Sequence, residues 1–148
     1  MKKFVFRLQT LLNQRQAKED QLLVELGEVR REAAETERHK VIMLEHLNVI
    51  TSQRYDAMTS ERCDVMTLER YDFYMQSLRD DIKVQELTLE AVRARVEAKR
   101  VEVTEAMKER KVIEALRDKQ ERVYLTAQMR AEQSGLDEMA SLRYARGM

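Results

Sequence analysis

Apolar residues recur along this chain at alternating steps of four and three. Counted from Leu8, the steps land on Leu12, Arg15, Glu19, Leu22, Leu26, Val29, Ala33, Thr36, Lys40, Met43, Leu47, Ile50, Arg54 and Ala57, and ten of these 15 positions are apolar. The same steps from Leu78 land on Ile82, Gln85, Leu89, Val92, Val96, Lys99, Val103, Ala106, Arg110, Ile113, Arg117, Gln120, Tyr124 and Ala127, again with ten apolar residues in 15. A seven-residue rhythm held over several heptads predicts helices that bury one narrow stripe against another helix, as in a coiled coil. Arg15, Glu19, Thr36, Lys40, Lys99 and Arg110 interrupt the stripes. Polar residues on such a seam cost stability and help to fix register, and the long stems of Lys and Arg also cover apolar surface.

Acids precede bases by three at Glu28-Arg31, Glu35-Arg38, Glu37-Lys40, Asp80-Lys83, Glu90-Arg93, Glu97-Arg100, Glu105-Lys108 and Glu114-Arg117. Each such pair supports a helix by roughly 0.2–0.5 kcal/mol. Gly27 sits inside the first stripe, where it costs about 1 kcal/mol relative to Ala. The stripes fade between Ala57 and Leu78, and Thr59, Ser60, Asp64 and Thr67 are all capable helix N-caps. The chain is therefore expected to reverse around residues 58–68. The fold class is all-α, a long antiparallel two-helix hairpin: one coiled-coil domain over 1–148, arm one about 4–58, arm two about 69–133, and a short segment 134–148 set off at Ser134-Gly135. A single helix of the whole length would rise roughly 220 Å and need a partner throughout. That leaves a dimeric structural scaffold as the rival reading.

Composition narrows the function. The chain has 148 residues, 36% charged and 5% aromatic, with no Pro and three Gly. Tight turns need Pro and Gly, so sandwiches, barrels and doubly wound sheets are excluded. Lys plus Arg equal Asp plus Glu at 27 each, which argues against a nucleic-acid binder that works by neutralising phosphates. One cysteine, Cys63, fits a reducing compartment. Arg7 directly follows Phe4-Val5-Phe6, so no signal-peptide core forms. No apolar run is long enough to span a bilayer. The expectation is a soluble intracellular protein.

No catalytic constellation survives. There is no glycine-rich phosphate loop. His39 and His46 share a helix face but make an incomplete zinc site. Neither has a Glu three residues before it, which excludes a di-iron bundle. Asp80-Asp81 read as exposed charges. The chain is expected to be no enzyme and to hold no metal or cofactor. Two features remain. The first 18 residues carry Lys2, Lys3, Arg7, Arg15 and Lys18 and no acid, beside Phe4, Phe6, Leu8, Leu11 and Leu12. They read either as the start of the coil or as a segment that docks to a partner or a membrane surface. Tyr55, Tyr71, Phe73 and Tyr74 gather half of the aromatics around the turn, either as plugs or as interface anchors.

The run Phe4-Val5-Phe6-Arg7-Leu8-Gln9-Thr10-Leu11-Leu12, followed by Arg15 and Glu19, resembles the start of the flagellar export protein FliJ family. Length, scarcity of turns and the two stripes agree with it along the chain. The resemblance implies a monomeric coiled-coil stalk at the flagellar base, on the cytoplasmic face of the cell membrane. It implies that the end bearing the termini enters the pore of the hexameric export ATPase FliI and promotes its assembly. The rest of the rod would reach the export gate protein FlhA, and empty export chaperones are possible further partners. By position it puts gate contact on Tyr55, Tyr71, Phe73, Tyr74 and Leu78. ATPase contact falls on Phe4, Phe6, Arg7, Leu8 and Leu11 from one arm and on Tyr124 onward from the other. Thr51, Asp81 and Gln85 depart from the family pattern, which has an aromatic, a small residue and a histidine there. The stalk proteins of injectisome secretion systems share the architecture and remain an alternative.

Overall fold

A computed structural model describes residues 2–147. It holds two helices, α1 (Gln9–Thr59) and α2 (Val65–Arg146), packed against each other as an all-α helical hairpin. The first helix begins later than the apolar pattern implies. Leu8, which offers no capping side chain, accepts the first helical bond from Leu12 N–H, and Gln9 N–H is satisfied instead by the carbonyl of Phe6 at 3.1 Å. Residues 2–8 therefore lie ahead of the helix as a lead-in.

The connection between the helices runs from Ser60 to Asp64. Asp64 caps α2: its carboxylate accepts from Met66 N–H at 3.1 Å and its carbonyl from Leu68 N–H at 3.2 Å. Thr59 instead turns its hydroxyl back onto the carbonyls of Tyr55 and Asp56, which closes the last turn of α1. At the other end α2 passes through Ser134 and Gly135 without a break. One glycine costs only about 1 kcal/mol in a helix, and no proline stands nearby to stop it. No separate segment begins at 134, and residue 148 lies outside the described residues. Arg143 and Arg146 occupy the last turn of α2, where cations favour the helix dipole.

The chain divides into two compact units, residues 1–21 with 104–148 and residues 22–103. In the first, Phe6, Leu12 and Ala106 are buried. Arg15 binds Glu109 at 2.5 Å, and Glu19 binds Arg110. In the second, Leu26, Val29 and Ile50 on α1 and Met75, Leu78, Ile82, Leu89 and Val92 on α2 form the core. Glu25 meets Lys99 at 2.8 Å, Glu32 meets Arg95 at 3.0 Å, Lys40 meets Glu86 at 3.8 Å and Arg54 meets Asp72 at 2.7 Å. Rising numbers on one helix match falling numbers on the other, which is antiparallel pairing.

Every step of the first stripe from Leu12 to Ala57 is buried or half-buried. The second stripe starts earlier than expected: Leu68, Tyr71 and Met75 continue it back to the turn. It also changes phase near its end. After Arg117 the half-buried positions are Glu121, Tyr124 and Gln128, and Gln120 and Ala127 are exposed. Ile113, Arg117, Glu121 and Tyr124 thus form an eleven-residue step, which unwinds a left-handed supercoil locally.

The polar interruptions each find a partner. Glu19 is 8% exposed and is neutralised by Arg110, which also holds Glu114. Arg15, Lys40 and Lys99 each find an acid on the other helix. Thr36 is buried, bonds back to the Glu32 carbonyl at 2.8 Å, and accepts from the Gln85 amide on its own carbonyl at 3.2 Å. This also changes the expected helix-surface pairs. Glu97-Arg100 closes at 2.7 Å, but Glu37 turns across to Arg93 and Lys40 to Glu86, while Glu114 pairs with Arg110 one turn back on its own helix. For Glu37 and Lys40 the facing helix supplies the partner, at 3.0 and 3.8 Å.

Two predictions follow from these contacts. A Cβ on Gly27 meets no atom within 4 Å, and its φ is not positive. Gly27→Ala should therefore stabilise the fold by about 0.5–1 kcal/mol, read as a higher melting temperature by circular dichroism. Lys99 is held above the ordinary lysine range, mainly by its hydrogen bond to Glu25 and then by that to Glu102. A cation raised on folding gives stability that is complete below its unfolded pKa, about 10.4, and is lost as pH climbs through the folded value. Melting temperature should fall in alkali above roughly pH 10, and Lys99→Met should fall less steeply in the same series.

Candidate functional site

A two-helix hairpin has no deep interior, and among the described residues none is fully buried. Its chemistry is that of surfaces. Among the described residues no group of three or more His, Cys, Asp or Glu is placed to hold a metal ion, and no helix is long and apolar enough to cross a membrane. Cys63 is exposed in the turn. His46 is engaged by Tyr74: their rings meet edge-on at 5.6 Å, with the phenol oxygen 3.5 Å from Nε2.

The residues assigned to ATPase contact lie in the first unit and divide by exposure. The Phe4 ring packs on Tyr124 at 5.7 Å, tilted by 43°. The Tyr124 hydroxyl donates to the carbonyl of Lys2. Phe6 is 6% exposed and belongs to the core. Leu11 and Tyr124 are half-buried, whereas Arg7 and Leu8 face solvent. Phe4, Phe6 and Tyr124 therefore close the paired ends, and Arg7 and Leu8 are the ones presented outward. Beyond Gln128, α2 outruns the lead-in: residues 131–147 are exposed throughout. Leu136, Met139, Ala140, Arg143 and Tyr144 line one side of it. Continuity with a long helix spares this stretch the nucleation cost an isolated helix would meet.

The residues assigned to gate contact lie in the second unit, and the structure does not bring them all together. Leu78 is 8% exposed, so it supports the surface from the core. Tyr71 occupies the seam and is half-buried. Phe73, 80% exposed, and Tyr74 face outward and line a shallow groove with Met66, Glu69 and Arg70. A neighbouring groove of about 420 Å³ is formed by Ile50, Thr67, Arg70, Tyr71 and Tyr74. Tyr55 is exposed but follows the seam residue Arg54, on the flank where Arg54 meets Asp72. Tyr74 lies on the opposite flank with His46. Sequence reasoning missed His46, Met66 and Arg70. Met66, Arg70, Phe73 and Tyr74 stand at helical spacings on one face, a signal that was available.

Arm pairing, polar seam layers and outward aromatics define an all-α coiled-coil hairpin. The model of the family described as Flagellar FliJ protein matches residues 3–148, and the chain belongs to that family, a component of flagellar protein export. Neither a curated protein nor a solved structure matches it.

The division between core and surface gives a direct check. Leu78→Ala should cost about 2 kcal/mol of stability, whereas Phe73→Ala should change it by less than about 0.5 kcal/mol. Urea unfolding of the two variants measures both.

Proposed function

We propose that the chain is a non-catalytic stalk of the flagellar export apparatus. Its paired ends engage the export ATPase FliI in the ring pore, and the aromatic surface near the turn engages the export gate protein FlhA. The observation that carries this reading is the closed end itself. Phe4, Phe6 and Tyr124 lock the lead-in onto α2, which leaves Arg7, Leu8 and the uncovered helix after Gln128 for a partner. A single rod cannot meet six identical subunits equally. Its contacts therefore favour one subunit state over another, and that difference in contact free energy biases the ring. Near the turn, Phe73 and Tyr74 are the anchors on one flank and Tyr55 on the other, with Tyr71 and Leu78 beneath them. Chaperone binding and residence at the cytoplasmic face of the membrane belong to the same reading, as does a monomeric state.

Arg7→Glu with Leu8→Ala should lower stimulation of purified export ATPase by roughly tenfold, a loss of about 1.4 kcal/mol of contact free energy, with helicity unchanged. Phe6→Ala should lower both stimulation and melting temperature. Full stimulation by the Arg7/Leu8 variant contradicts the assignment of the paired ends.

A further inference from the structure

The face of α2 turned away from α1 in the first unit has a chemistry that the seam does not use. Ala115, Val123, Thr126 and Ala127 floor an open groove of about 890 Å³, rimmed by Lys119, Arg122 and Arg130. All of these are exposed, and Val123 is exposed by 63%. The three cations make no ion pair among the described residues, and Arg122 only reaches its own helix, at the Asp118 carbonyl, 3.4 Å away. Of the acids nearby in sequence, Asp118 and Glu132 make no ion pair with these cations among the described residues. Glu114 binds Arg110, and Glu121 lies on the seam.

We propose that this groove docks an acidic amphipathic helix of another protein, its apolar side on Val123 and Ala127 and its carboxylates on Lys119, Arg122 and Arg130. Three arguments select that occupant. The cations call for carboxylates, which Arg takes in bidentate fashion. The floor is small, so a helix can approach to the 8–10 Å typical of packed axes, and four turns from 115 to 130 present roughly 22 Å of it. A lipid surface is served by bulky Trp, Phe or Leu that insert, and Val, Ala and Thr are too short. A second copy placed on the same face by two-fold symmetry would set cation against cation. Thr126, Ala127 and Arg130 belong to the stretch of α2 that the proposed function gives to the ATPase, and the Arg7 and Leu8 variant below separates the two readings.

The test uses the full chain and a fluorescein-labelled synthetic helix of 18 residues with Leu and Ala on one face and Glu on both flanks. Fluorescence anisotropy should show saturable binding. Lys119→Glu, Arg122→Glu and Arg130→Glu together should weaken it by about tenfold, and a probe with Gln for every Glu should bind comparably poorly. Should the charge reversals disturb the helix, Ala127→Trp provides a second route: it fills the floor without touching charge and should block the probe. Arg7→Glu with Leu8→Ala should leave probe binding unchanged. Absence of binding, equal binding by the charge-reversed and wild-type chains, preference for phosphatidylglycerol vesicles over the probe, or self-association abolished by the same reversals would each overturn the proposal.

Discussion

Each helix of this protein hides only one stripe of its surface, and the stripe of the other helix is all there is to hide it against. With two layers and no third, no side chain among the described residues reaches full burial, so the apolar contribution per residue is modest. What the apolar seam lacks in depth it makes up in register. A slip by one heptad would still pair Leu with Val or Ile, but it would strand Glu19 away from Arg110 and Lys99 away from Glu25. Charged seam residues are weak evidence of stability and better evidence of register. Here Arg15, Glu19, Lys40, Arg54, Lys99 and Arg110 recur along α1 and α2 with their partners in place.

That constraint also decides what kind of function the fold supports. With so shallow an interior among the described residues, the proposed function rests on what the outer faces touch. The seam frees three surfaces: the end closed by Phe4, Phe6 and Tyr124, the flank carrying Phe73 and Tyr74, and the basic back of α2. The last two are built from helix and the first is a lead-in packed onto helix; a surface held in place beforehand loses little entropy on binding.

Much of this was legible in the chain. The steps of four and three gave the two arms, and the polar interruptions marked the layers that carry the cross-helix ion pairs. The opening from Phe4 to Leu12 gave the family. Other features depended on information that a stripe does not carry. Which acid answers Lys40 is settled by the facing helix, so Glu37-Lys40 read as a helix-surface pair and opened into two cross-helix pairs. Gly135 read as a break because glycine is a poor helix former, but one unfavourable residue does not outweigh the helix on either side. Leu78 and Phe6 carried over as contacts because family position says nothing about burial. The phase change after Arg117 escaped because a strict heptad count never tests an eleven-residue step.

The central claim is that one chain folds back on itself so that residues near its start lie beside residues around 110. Nitroxide labels at Gln14 and Lys111, both exposed, in a chain carrying Cys63→Ser test it most directly. Helix axes 8–10 Å apart place the labels within roughly 30 Å of each other, and the distance should persist when labelled protein is diluted into an excess of unlabelled chain. A separation beyond roughly 100 Å, as an extended helix would give, or a short distance that vanishes on dilution, contradicts the hairpin and the docking surfaces built on it.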